Sequence, residues 1–309
     1  MTAVSEARVA GAHPKGRRRR HRTHYLLLAP VIIILLPIGV FPLLYVLRLS
    51  LFEANVNKAY LGDIFVGLNN YRDFFLDAYT WRTLLTSLIF TVSTVALELV
   101  VGLGAALLLQ KESRFMSFVR SLILLPLVMT PVVVGVLWRM MYQSEFGIIN
   151  YFLTVLGFEK VSFLAEPGVA LPALIVVSLW EYAPFMILIM LAGLKSLPEE
   201  PLEAVAIDGA SDWQMLRYIV LPMLKPVILI GVLIRSIDAF KVLDLMFVTT
   251  RGGPGSITET ISLRIYYTAF RFFQMGYAAT LTVILIIVIN IAVIFLIKVF
   301  RSSQAELAS

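Results

Sequence analysis

Six stretches of about 20 mainly apolar residues dominate this chain, near 25–47, 85–109, 117–138, 169–192, 222–243 and 275–297. About 20 such residues cross roughly 30 Å of hydrocarbon as a helix, and a helix satisfies its own backbone polar groups there. The spacing therefore predicts an all-α membrane protein, a polytopic bundle of six transmembrane helices. Composition agrees: of 309 residues 59% are hydrophobic and 15% charged, against about 25% charged in soluble domains. A net charge of +6 would suit a nucleic-acid partner, but its placement argues against one. Residues 1–24 hold Arg8, Lys15, Arg17, Arg18, Arg19, Arg20 and Arg22 against Glu6, and the rest of the chain is neutral. No nucleic-acid partner is expected.

Three regions follow: a basic cytoplasmic tail at 1–24, a six-helix transmembrane domain at 25–298, and a C-terminal cytoplasmic tail at 299–309. The first span is too long for the apolar core of a cleaved signal and has no small-x-small site behind it, so it reads as an uncleaved anchor. The positive-inside rule puts both termini in the cytoplasm, with the basic tail deciding the topology. The tail can also meet anionic lipid.

The chain has no cysteine, and its only histidines are His13, His21 and His24. Residues 25–309 thus cannot supply a Ser-His-Asp triad, a thiolate nucleophile or an imidazole zinc site. No G-x-x-x-x-G-K-[ST] occurs, so no phosphate-cradling loop is present. The expectation is a non-enzyme with no catalytic residue and no metal site.

Pro30, Pro37 and Pro42 fall in the first span, and Pro126 and Pro131 in the third, where each removes a donor and tends to kink a helix. Gly102 and Ala106 form a small-x-x-x-small pair suited to close helix contact. Charges inside the membrane are costly and face a partner or water. Glu98 and Glu181 sit mid-span, and Arg235, Asp238, Lys241 and Asp244 recur every three residues with alternating sign. Two readings stand: a polar lining of a solute pathway, or an ion-pair ladder joining the fifth span to a neighbour. The ladder suits Lys241 and Asp244 better, near the outer interface. Trp180, Tyr182, Phe185 and Phe240 lie close in sequence and offer faces on which a sugar ring can stack, although aromatic residues in such helices are commonly core. The candidate solute path is Glu98, Trp180, Glu181, Arg235, Asp238 and Phe240.

The segment 196–226, between the fourth and fifth spans, carries more local signals than a connecting loop needs. Ser196 and Glu199 have the spacing of a capping box, with Pro198 in the first turn. Glu199 and Glu200 suit the positive end of a helix dipole. Leu202, Val205 and Ala206 give an apolar face, and Gly209 suits a left-handed terminator. Ser211 and Gln214 restart the pattern, Trp213, Leu216, Ile219 and Val220 form a second stripe, and Pro222 opens the fifth span. This predicts a cytoplasmic helix-turn-helix: two short helices joined at roughly a right angle by a glycine elbow. Such a pair can insert into a groove on a partner or lie as an interfacial hairpin.

Glu203-Ala204, Asp208-Gly209-Ala210, Ile219, Leu221-Pro222 and Pro226 resemble the EAA loop of binding-protein-dependent ABC permeases, with Val205 and Leu216 as departures. Phe65-Val-Gly-Leu-Asn-Asn-Tyr71, Gly147-Ile-Ile-Asn150, Leu191-Ala-Gly-Leu194, Arg251-Gly-Gly-Pro-Gly255, Thr258, Tyr266 with Phe270, and Gly276-Tyr-Ala278 resemble the carbohydrate-uptake, MalF-like branch. Together they cover about residues 25–298. The resemblance implies a type I ABC importer permease fold in a bacterial cytoplasmic (inner) membrane. It implies as partners a second homologous permease subunit, two ATP-binding subunits and an extracytoplasmic sugar-binding protein. No cofactor is expected on this chain, with ATP and Mg bound by the partner ATPase. Glu203 would be its acidic contact with the ATPase, Gly209 the elbow, and Asp208 and Ala210 the shape of the turn.

Three alternatives remain at this level. An ABC permease for another solute class fits the same motifs. An ion-coupled secondary transporter would use Glu98, Glu181 and Asp238 as ion sites, although no repeat between the halves is evident. A membrane-embedded enzyme would have to work with those same carboxylates alone.

Overall fold

A computed structural model describes residues 17–111 and 113–305. The chain divides into two compact units, residues 1–48 and 49–309. The first holds helix α1 (Arg17–Leu49), which runs through Pro30, Pro37 and Pro42. The helix begins inside the arginine run, whose residues are good helix formers, and its membrane-length apolar stretch runs from Pro30 to Leu49. Residues 1–16 of the basic tail lie outside the described residues.

The second unit opens with strands β1 (Phe52–Glu53) and β2 (Ile64–Phe65), antiparallel with Phe52 opposite Phe65. Helices follow in the order α2 (Asn69–Leu76), α3 (Ala78–Leu109), α4 (Arg114–Ile123), α5 (Leu125–Val128), α6 (Pro131–Met141), α7 (Ile148–Val155) and α8 (Pro167–Lys195). Then come α9 (Glu199–Ile207), α10 (Asp212–Met215), α11 (Leu221–Phe240), α12 (Asp244–Thr249), α13 (Ile261–Phe270) and α14 (Met275–Ala305). Helix α14 continues past the expected start of the C-terminal tail at 299, and residues 306–309 lie outside the described residues.

Five helical runs are long and apolar enough to span a membrane: within α1, α3, α8, the run from Asp212 to Thr249, and α14. The expected third span is broken. Arg114–Val128 and Pro131–Met141 meet at 98°, and they make a sixth span only as a bent pair. The cause is local. Pro131 disfavours helical backbone in the residue before it, and Met129 and Thr130 are extended, with ψ 147° and 143°.

The core of the second unit is built on α3, α8 and α11. The small-residue pair works as expected between α3 and α8. Ala106 is fully buried, and a Cβ at Gly102 would lie 2.6 Å from Cγ of Met186. Gly231 of α11 meets the same side chain from the other side, its would-be Cβ 3.0 Å from the Met186 sulfur. Met186 thus fills two notches and brings three helix backbones close, the arrangement that packs helices where lipid offers no hydrophobic contrast.

Several of the motif residues are fasteners. The Asn70 carboxamide donates to the Ser50 and Phe52 carbonyls at 2.9 and 3.0 Å. The Asn150 side chain donates to the carbonyls of Gln143 and Val161 and accepts from the Val161 amide. Gly276 has no room for a side chain, because its Cβ would sit 2.0 Å from the Phe52 carbonyl oxygen. Nothing in the sequence singled out Arg120, whose guanidinium donates to the carbonyls of Leu109 and Lys111 and closes the C-terminal end of α3.

Candidate functional site

The first element of the site is the segment 196–226. Helix α9 buries none of its residues, and Glu203, Ala204, Asp208 and Gly209 are all exposed. Gly209 has φ +80°. Its amide donates to the Ala206 carbonyl, and the Ala210 amide donates to that of Val205, both at 3.2 Å. This pair of bonds is the Schellman arrangement, which places a left-handed residue one beyond the helix cap. The chain restarts at Ser211, where the reciprocal box with Gln214 is formed.

Three expectations for this segment need correction. Ser196 does not cap α9. It ends α8, and its hydroxyl donates to the Gly193 carbonyl at 2.8 Å, so the carbonyl of its own helix takes the group first. Pro198 is the N-cap of α9 and makes no side-chain cap bond. The second short helix is not separate either. Residues 216–220 form a π-helical turn in which the Leu221 amide reaches back to the Leu216 carbonyl, and the helix continues as α11. Pro222 lacks a donor and would press on the carbonyl four residues earlier in a tighter turn; the wider turn removes that conflict. Leu221 and Pro222 are half-buried at this junction. Leu202 and Leu216 pack on the core, whereas Trp213, expected in the same stripe, is 65% exposed, as are Ile207 and Tyr218 to similar or greater degree.

The second element is a cavity of about 410 Å³ lined by Ser178, Glu181 and Tyr182 of α8, Arg235 and Asp238 of α11, Lys241 and Asp244 beyond it, and Phe90 and Pro131. Arg235 is held by Glu98 of α3 through two bonds, Nε to Oε2 at 2.7 Å and Nη2 to Oε1 at 2.8 Å. Both side chains are buried. Ser178 donates to the same carboxylate at 3.4 Å, and the Arg235 guanidinium carbon lies 3.8 Å from the centroid of the Tyr182 ring. Asp238 pairs with Lys241 at 3.4 Å. The ion-pair reading is realised by Glu98–Arg235, which joins two helices, and the Arg235 guanidinium also borders the cavity.

Helix geometry sorts the remaining candidates. Trp180 does not line this cavity. It packs edge-on against Trp138 at 5.8 Å and borders an apolar groove with Val101 and Leu122. Phe240 is core, buried beside Ile261 and Leu285. At about 100° per residue, Trp180 points well away from Glu181, and Phe240 lies nearly opposite Asp238. Lys241 and Asp244, read as ladder residues, both line the cavity, and Asp244 makes no ion pair among the described residues. Ser178 went unnoticed, although it stands three residues before Glu181 and so on the same face.

Paired membrane-spanning helices around a polar cavity, joined to a long exposed helical loop, define a polytopic helical permease. The chain belongs to the family of binding-protein-dependent transport system inner membrane components, whose family model matches residues 98–305. It is 36% identical over 307 residues to a probable ABC transporter permease protein of Sinorhizobium fredii, covering 98% of this chain and 99% of that one. It is 32% identical to the trehalose/maltose transport system permease protein MalF of Thermococcus litoralis, covering 85% and 87%. Two crystal structures of a bacterial alginate ABC transporter share the fold, with TM-scores of 0.79 and 0.78 at 21% and 22% identity. They cover 93% and 92% of this chain and 96% of theirs; one is in complex with an alginate pentasaccharide-bound periplasmic protein, and the other is described as involved in the import of the acidic polysaccharide alginate. The fold is thus the type I ABC permease fold, and the chain is a multi-pass membrane protein.

Proposed function

We propose that this chain forms half of the translocation pathway of an ATP-driven sugar importer and couples that pathway to a separate ATPase through the 196–226 loop. The observation that carries the reading is one unbroken helical run from Asp212 to Phe240, roughly 43 Å at 1.5 Å per residue. The exposed loop lies at its start and Arg235 of the charged cavity near its end. A push on the loop moves a rigid rod, and the rod carries one wall of the cavity. Glu203, Ala204, Asp208, Gly209 and Ala210 form the surface that meets the ATPase, and Leu221 and Pro222 pass the movement on. Arg235, Asp238 and Glu181 line the solute path, with Glu98 holding Arg235.

The partners in this reading are a second homologous permease subunit, two ATP-binding subunits and an extracytoplasmic binding protein that delivers the sugar. ATP and Mg²⁺ belong to the ATPase, and this chain carries no cofactor and no catalytic group. The membrane is the bacterial cytoplasmic membrane, with both termini inside. Sugar as the solute rests on the likeness to relatives such as the trehalose/maltose transport system permease protein of Thermococcus litoralis.

Gly209→Pro removes the amide that bonds Ala206 and forbids φ +80°. In cells carrying the complete transporter, this variant and Glu203→Ala are expected to reach the membrane at normal levels and to lose solute uptake. Full uptake in either would contradict the coupling role.

A further inference from the structure

The charged cavity carries more than a polar label, because its charges can be matched one by one. Arg235 is taken by Glu98 through two hydrogen bonds, and Lys241 is taken by Asp238 at 3.4 Å. Glu181 and Asp244 are left over. Glu181 is 2% exposed, borders the cavity and makes no ion pair among the described residues; Asp244 borders it from the start of α12 and makes none either. Glu181 shares the field of Arg235, whose two hydrogen bonds go to Glu98; counted with Glu98, the cavity therefore holds four carboxyl groups (Glu98, Glu181, Asp238, Asp244) against two cations.

The fold does not decide the charge of the solute, since the alginate importer that shares it carries an acidic polysaccharide. The cavity does. An incoming carboxylate or sulfonate meets two cations outnumbered by four carboxyl groups, with Arg235 already held by Glu98 and Lys241 by Asp238. It would have to break the buried Glu98–Arg235 pair, which leaves a charge uncompensated in a low-dielectric site. A neutral polyol brings hydroxyl donors, and carboxylates accept hydrogen bonds without donating. Tyr182, with Arg235 stacked on it, adds an aromatic edge to the same space. We infer that the half-pathway formed by this chain admits neutral or cationic glycosides and rejects acidic ones, with Glu181 and Asp244 as the residues that discriminate. The inference rests on the sugar-importer reading and narrows its substrate class.

The test uses the purified complex of this chain with its partner permease and ATPase, without the binding protein, so that the binding protein's selectivity does not intervene. Variants in this chain alone then separate its half of the pathway from the partner's. Saturation-transfer NMR at millimolar ligand compares trehalose, an amino-substituted trehalose and a glucuronosyl-glucose disaccharide. The uronate signal is expected to be at least about tenfold weaker than that of trehalose. That is the factor from one unit charge about 12 Å away at an effective dielectric of about 20. The amino sugar is expected to bind no less than trehalose. In the double variant Glu181→Gln/Asp244→Asn the uronate-to-trehalose ratio should rise by a similar factor. Equal signals from uronate and trehalose in the unaltered complex overturn the inference, even if the variant fails to assemble. An unchanged ratio in an assembled variant removes these two residues as its cause. Saturation of none of the three sugars overturns the sugar reading itself, and the inference with it.

Discussion

Glu98 and Arg235 show what a single pair of charges does in this protein. Each is buried, and each satisfies the other through a two-bond fork that also fixes α3 against α11. Such a pair contributes less through its attraction than its loss would cost, because removing one partner strands the other. Glu98→Gln is therefore expected to destabilise the purified complex by about 3–5 kcal/mol, whereas Glu98→Leu/Arg235→Met should recover much of that loss. Thermal unfolding of the single and double variants in detergent measures both, and a single variant as stable as the unaltered protein would contradict the pairing. The presence of these residues was plain in the sequence, since a charge in an apolar span is conspicuous. Their partnership was not, because it joins positions that only the packing of α3 on α11 brings together. Trp180 and Phe240 misled for the opposite reason: closeness along a helix is not closeness on one face, and a step of one or two residues turns a side chain out of the cavity.

Elements show a similar division. The Gly209 elbow and the Ser211–Gln214 box were legible because both are short-range devices whose chemistry lies within a few residues. The π turn at 216–220 was not, since it arises where a proline must be accommodated inside a helix that packing keeps continuous. The 98° break before Pro131 was half legible: the prolines marked its place but not its size. Between elements, the Gly102 notch is the most exacting contact. Gly102→Val places carbon within 2.6–2.7 Å of the Met186 side chain, and overpacking of this kind costs about 1–3 kcal/mol. Shortening the neighbour in Gly102→Val/Met186→Ala should return part of that stability. A double-mutant cycle on thermal unfolding checks it, and strict additivity would show that the two side chains do not meet.

At the scale of the whole molecule, the chain is a multi-pass membrane permease in which two groups of charges bear on the proposed function: those of the cavity and those of the exposed acidic loop. A helix without interruption runs between them. Its sequence offers no phosphate loop, no cysteine and no histidine beyond residue 24. In the proposed function, movement of solute through this chain is driven by a partner ATPase and not by an ion gradient across the chain itself. Proteoliposomes holding this chain and its partner permease, with and without the ATP-binding subunits, test it directly when loaded binding protein and labelled trehalose are supplied outside. Accumulation is expected only with the ATPase and ATP present, and it should stop with Gly209→Pro. Accumulation driven by a proton or sodium gradient in vesicles lacking the ATPase would contradict the account.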